Sequence, residues 1–260
     1  MATVNGLPAS VEQMAGLALT NYGHFTTMRL DGGGIRGLPL HLDRLERDCA
    51  ALFGAPLDRE RVLHCVRQEV GRQAGPLIVR VTVFDPALDL AHPAGKADPH
   101  ILVTTRPASA LPPSALRVRS FAFHRDTAAV KHVALFSQLR LRRAAQLAGF
   151  DDVLFTDPDG RVSEGCTWNI GFLDEAGEVV WPDADILPGV TMRLLHKALE
   201  GSTTREVRIA ELPSMRAAFA TSAAVGVRAV LGVDDLRFPD GDSALAPLRE
   251  AYAALPAERP

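Results

Sequence analysis

Between Asp151 and Leu173 the chain reads DDVLFTDPDGRVSEGCTWNIGFL, and this run limits the fold more than any other. DPDG reads as a hairpin turn joining the strand DDVLFTD to RVSEG, and after a few small residues a further strand, TWNIGFL, follows. A hairpin makes its two strands antiparallel neighbours. Glu164 is the exception in this apolar stretch. A carboxylate placed there is either an exposed turn acid or a buried group that needs a cationic or protonated partner.

Similar segments extend in both directions. Met1 to Thr20 is weakly patterned, with VNG suggesting a short strand and a turn. A strand through Phe25 to Leu30, a Gly-rich turn and a helix from near Pro39 come next. No G-K-[ST] follows GGG, so those glycines belong to a turn and not to a phosphate loop. Asp58 to Gln73 reads as a helix, PLIVRVTVFDP and HILVTTRP as strands, and SALPPSA as a candidate hinge between lobes. LRVRSFAF is a strand. SQLRLRRAAQLAGF is a helix expected to turn Leu139, Leu141, Ala145 and Leu147 or Ala148 inward, with its arginines outward. LPGVTMRLLHKALEG starts a helix whose first amides are those of Val190 and Thr191, an arrangement suited either to a phosphate or to a plain Thr-capped start. REVRIAEL and AAFATSAAVGVRAVLGVDD are strand-rich, and an amphipathic helix follows Asp242. At 260 residues and 47% hydrophobic, the chain has enough apolar material for an α+β fold in two lobes.

The lysines are few: of 28 Lys and Arg residues only Lys96, Lys131 and Lys197 are lysines. Lys96 lies in the loop AHPAGKADPH and Lys197 on the polar face of RLLHKALEG, both solvated positions. Lys131 instead sits between DTAAV and the apolar HVALF, where it is either a lysine snorkelling from a strand end or a desolvated, neutral amine able to attack a carbonyl, which a guanidinium cannot do. In HLDRL, His41 and Arg44 are three apart and share a helix face. A guanidinium there can pair with Asp48 at i+4.

In order, the lysine, the helix after it, the hairpin, V-S-E-G-x-x-x-N and L-P-G-V-T resemble the class IV aminotransferases, the fold-type IV pyridoxal-phosphate enzymes. That family includes branched-chain and D-amino-acid aminotransferases and 4-amino-4-deoxychorismate lyase. The likeness runs from about Asn21 to Asp234. It implies a D-amino-acid aminotransferase-like fold, with a small N-terminal α/β domain over residues 1–112 and a larger C-terminal, β-barrel-like domain with flanking helices over 113–260. It also implies pyridoxal 5'-phosphate carried on Lys131, a hydrogen bond from the pyridine nitrogen to Glu164, and a phosphate held by Arg44, the Val190 and Thr191 amides, and Ser222 with the Ala223 amide. A slip of one position would move the hydroxyl to Thr221. Phe25, Arg80 and Phe136 are candidate substrate contacts. Arg80 matches by position the arginine that organises the substrate carboxylate in branched-chain enzymes, and a buried ion pair explains it equally. A homodimer is a further implication.

The implied reaction moves an amino group from an amino acid or amine to a 2-oxo acid. Where branched-chain enzymes often carry a tyrosine five residues after the lysine, this chain has Phe136, and that weakens the branched-chain likeness. YGHFTTMRL and the pair Lys131–His132 resemble the aminodeoxychorismate lyases, although Ala134 stands where those can have asparagine. A third reading is a non-catalytic protein that keeps the fold. A net charge of -3 offers no footprint for nucleic acid. Cys49, Cys65 and Cys166 have no metal-ligand spacing, and an odd thiol fits a reducing cytoplasm. No apolar run approaches a membrane span.

Overall fold

The run LIVRVTVF is buried on both faces, with Arg80 alone half-buried. In the computed structural model, which describes residues 2–71, 73 and 75–260, these residues form a strand whose Leu77, Val79, Val81 and Val83 join one apolar core. Residues alternate sides along a strand, so Ile78, Arg80 and Thr82 point the other way. This strand belongs to the first of two units into which the chain divides, formed by Met1–Ala108, Val130–Ala134 and Pro256–Pro260.

The first unit begins with β1 (Ala2–Val4), β2 (Leu7–Pro8) and α1 (Val11–Thr20). It continues with β3 (His24–Asp31), β4 (Gly34–Arg36), α2 (Leu38–Phe53), α3 (Arg59–Val70), β5 (Leu77–Phe84) and β6 (His100–Pro107). α1 lies in the stretch expected to be weakly patterned. Its start is fixed by a capping box, in which Ser10 Oγ accepts from Gln13 N at 3.2 Å and the Gln13 side chain accepts from Ser10 N at 3.0 Å. Asp58 caps α3 by accepting from the amides of Glu60 and Arg61. Leu42, Leu45 and Cys49 of α2 and Val62 and Val66 of α3 pack on Met28, Val79, Val81 and Val103.

The second unit, Ser109–Ala129 and Leu135–Leu255, holds β7 (Leu116–Ala122), α4 (Phe136–Leu147), β8 (Asp152–Thr156), β9 (Val162–Gly165), β10 (Asn169–Leu173) and β11 (Val179–Pro182). α5 (Val190–Ala198), β12 (Thr203–Arg205), β13 (Ala217–Ser222), β14 (Gly226–Val233), β15 (Leu236–Arg237) and α6 (Ala246–Ala254) complete it. The order β10-β13-β14-β7-β8-β9 closes on itself through the pair Asn169↔Glu164, which makes a six-strand barrel. Closure leaves those strands no free edge. The barrel strands obey a period of two: Ile170, Phe172, Ala218 and Ala220 belong to one core, while Ala217 and Phe219 face another that contains Leu195 of α5 and Leu248 of α6. The expected mixed α+β fold with a barrel and flanking helices is observed.

β16 (Ala257–Glu258) returns the chain to the first unit beside β4, giving an antiparallel sheet in the order β16-β4-β3-β5-β6-β1-β2. Two local expectations fail. α4 buries Gln138, Leu141 and Ala145, and it leaves Leu139 and Leu147 exposed. Leu139 and Leu141 are two apart, roughly 200° around a helix, and cannot share a face. REVRIAEL forms only the end of β12, and a 3-10 helix over Ile209–Ser214 replaces the rest.

Candidate active site

In the first unit the antiparallel register sets Phe25 of β3 opposite Thr82 of β5, so Arg80, two residues from Thr82, is a diagonal neighbour on the same face. Its guanidinium donates from Nε to Thr82 Oγ1 at 3.2 Å and lies 3.6 Å from the centre of the Phe25 ring. Among the described residues it has no carboxylate partner, and burial pushes its pKa down. Lys131 Nζ stands over the same ring at 4.9 Å. One aromatic ring therefore carries two cations. Of the three lysines, Lys131 is half-buried and Lys96 and Lys197 are exposed.

The segment around Lys131 is irregular. It meets β3 through an isolated bridge, His24↔His132, with Phe25 N donating to Lys131 O and Val133 N donating to Gly23 O, both at 2.9 Å. The other face of β3 points at α2, where the Thr26 hydroxyl and His41 Nδ1 are 2.6 Å apart. Arg44 is buried, with 5% of its surface exposed. His41 is held neutral, its pKa pushed down to about 3 by burial and by the charges of Arg44 and Lys131. Asp48 accepts from Arg47 Nε and Nη2, at 3.0 and 2.7 Å.

In the second unit Glu164, the last residue but one of β9, is buried beside Arg125, whose Nη1 donates to Oε1 at 3.3 Å. The carboxylate has the cationic partner its apolar setting calls for. Its other oxygen accepts from Leu187 N at 3.4 Å. Arg125 and Glu164 line a cavity of about 420 Å³ together with Phe123, Phe155 and Ser163. Gly165 follows because a Cβ there would strike the Trp168 indole.

Asn169 joins the remaining pieces. It pairs with Glu164 across β9 and with Thr221 across β13, one residue from Ser222. Its amide donates to Leu187 O at 2.8 Å and accepts from Gly189 N at 3.1 Å, fixing the loop that starts α5. A Cβ on Gly189 would collide with that Asn169 oxygen. No side chain caps α5, and its first residues, Val190 and Thr191, are both buried. Among the described residues Thr191 Oγ1 is buried with no hydrogen-bond partner, at the start of a helix, where the first amides have no intrahelical acceptor. Ser222 and Ala223, both half-buried, begin the turn between β13 and β14, where Val225 N donates to Ser222 O.

The first unit thus gathers Phe25, Arg44, Arg80 and Lys131, and the second gathers Glu164, Val190, Thr191, Ser222 and Ala223. Phe136, the first residue of α4, is 77% exposed. Arg125 and the buried carboxylate of Asp48 were not anticipated; an acid on the inner face of α2 was the only signal for the latter. The three cysteines are free and buried, and burial pushes the Cys166 thiol up to about 12, so it is inert. Among the described residues no cluster of His, Cys, Asp or Glu is placed to hold a metal ion, and no helix is long and apolar enough to cross a membrane.

Similar folds occur among solved structures. A hypothetical aminotransferase from Mycobacterium tuberculosis, in a PLP-bound form, matches with a TM-score of 0.81 at 19% identity, covering 98% of each chain. The fold IV-transaminase CpuTA1 from Curtobacterium pusillum matches at 0.77 and 24% identity, over 92% of this chain and 89% of its own. The branched-chain amino acid aminotransferase of Escherichia coli matches at 0.83 and 17% identity, over 98% and 93%. At such identities the likeness is one of fold. A sequence comparison with curated proteins gave no match. The model of the amino-transferase class IV family matches residues 23–233, and the chain therefore belongs to that family.

Proposed function

We propose that the chain is a pyridoxal-phosphate-dependent aminotransferase that moves an amino group from an amino acid or amine to a 2-oxo acid. The observation that carries this reading is the buried, unpartnered hydroxyl of Thr191 at the uncapped start of α5. A donor left unmet at zero ligand suits an anion, and helix amides with the dipole behind them suit a phosphate. The residues fit the cofactor. Arg44, the amides of Val190 and Thr191, the Thr191 hydroxyl, and Ser222 with the Ala223 amide would hold the phosphate. Lys131 would carry the aldehyde carbon, and Glu164 would accept a hydrogen bond from the ring nitrogen.

Bound pyridoxal phosphate supplies an electron-withdrawing ring that stabilises negative charge at the substrate Cα. The chain's own residues do the rest. Lys131 Nζ takes up and returns the Cα proton. Arg125 is the cationic partner of the buried Glu164 carboxylate, which would offer the ring nitrogen an acceptor. Arg80, which among the described residues has a hydroxyl and a ring but no carboxylate beside it, would receive the substrate's carboxylate on the face it shares with Phe25. In this reading the enzyme works in a reducing cytoplasm, which its free cysteines suit. The homodimer implied by the family resemblance is checked by sedimentation.

The test is a half-reaction. The chain loaded with pyridoxal phosphate should lose its aldehyde absorbance with one or more members of a panel of L- and D-amino acids and (R)-amines, and regain it with a 2-oxo acid. Release of pyruvate and p-aminobenzoate from aminodeoxychorismate, with no response to the panel, would identify a lyase instead.

A further inference from the structure

Asp48 is completely buried in α2, among apolar neighbours such as Leu45 and Cys49. A carboxylate in that setting is costly unless its oxygens are satisfied. Oδ1 takes the fork of Arg47, whose side chain is 45% exposed. Oδ2 takes the main-chain N–H of Lys131 at 2.9 Å, across 83 residues of sequence. The segment from Val130 to Ala134 meets β3 through an isolated bridge, His24↔His132. Its two main-chain bonds to that strand hold one side of the lysine, and Asp48 holds its amide from the helix. One turn earlier on the same face of α2 stands Arg44.

We propose that Asp48 is a positioning residue: its carboxylate ties the main chain of Lys131 to the helix that carries Arg44, and so sets where Nζ stands above the Phe25 ring. The role rests on the reading of Lys131 as the cofactor-bearing lysine. Apolar packing of α2 requires no acid at this position, whereas a fixed lysine backbone requires an acceptor there.

The experiment treats the cofactor-free chain with limiting pyridoxal phosphate and borohydride, then maps the label on Lys131 against that on the exposed Lys96 and Lys197. Amide exchange at Lys131 is followed in parallel, and melting temperature reports folding. In the wild type the label goes to Lys131 and its amide is protected. In Asp48→Leu, close in shape but with no acceptor, the preference for Lys131 should fall about tenfold, the size expected for one charge-assisted hydrogen bond, and its amide should exchange faster. Asp48→Ala is the second variant should the leucine disturb folding. Asp48→Asn keeps an acceptor oxygen and should restore most of the preference. A folded Leu or Ala variant that prefers Lys131 as strongly as the wild type overturns the positioning role alone. A wild type with no preference for Lys131 overturns the cofactor reading and this role with it.

Discussion

Thr191 is the residue at which the folded chain and the bound state make opposite demands. Its hydroxyl is buried with no partner, so Thr191→Val removes a polar group that contributes nothing to the cofactor-free fold. Melting of the cofactor-free variant should be unchanged or slightly higher. Its affinity for pyridoxal phosphate should drop by about tenfold, the worth of one hydrogen bond to a charged acceptor. Equilibrium dialysis beside a thermal melt checks both, and an unaltered affinity would remove Thr191 from the phosphate site. Arg125 behaves in the opposite way. Arg125→Ala leaves Glu164 buried without its Arg125 partner, at a cost of about 3 kcal/mol, the low end for a broken buried pair because a cavity lies beside it. Adding Glu164→Gln should recover much of that stability, since a neutral amide no longer needs the guanidinium. A denaturant titration of both variants measures the coupling, and purely additive losses would mean that the pair does not interact. Sequence alone made Glu164 conspicuous, because an acid in an apolar strand breaks a pattern. It gave no sign of Arg125, one arginine among many, since its partnership is created only when residues 39 positions apart meet.

At the scale of elements, the barrel strands and the start of α5 were legible because period and punctuation coincide: DPDG, alternating β10 and β13, and Pro-Gly before Val190. α1 was missed: the S-x-x-Q spacing of Ser10 and Gln13 marks its start, but the helix has no strong apolar stripe and buries none of its residues fully. The inward face of α4 was misread because apolar side chains were counted without their angular positions. The buried Gln138 shows that packing geometry, and not polarity alone, selects a face. The loop before α5 depends on a single side chain. Asn169→Leu removes two hydrogen bonds to that loop and leaves the Leu187 carbonyl and Gly189 amide to find water or stay unpaired. It should cost about 2 kcal/mol and raise hydrogen exchange at Leu187 to Thr191 before exchange elsewhere in β13 and β14. If exchange rises evenly through the barrel, Asn169 is a general core residue and does not hold that loop.

Over the whole molecule, the two units should respond differently to acid, because the buried neutral histidines lie in only one of them. His24 and His41 belong to the first unit; burial lowers the pKa of His24 to about 4 and that of His41 to about 3. For His24 the neighbouring charge of Asp48 opposes the shift without cancelling it. An unfolded histidine takes up a proton near pH 6.5, so between that value and the folded pKa the unfolded chain binds more protons than the native one. The stabilisation these groups give is therefore complete above about pH 6.5 and is lost as pH falls toward 4 and then 3. By pH 5 the loss is on the order of 2 kcal/mol for each histidine. The carboxylates whose pKa values are lowered in the second unit, Glu211 and Asp242, start from ordinary values of 4.5 and 3.8 and give up their contribution only as the pH falls below those values, under the range from 7.5 to 5. Lowering the pH from 7.5 to 5 should therefore reduce hydrogen-exchange protection in β3, β5 and α2 while that of β10, β13 and β14 changes little. His24→Leu should flatten about half of the pH dependence in the first unit. Equal loss of protection in both units, or an undiminished slope in His24→Leu, would show that the acid sensitivity of this fold arises from groups other than its buried imidazoles.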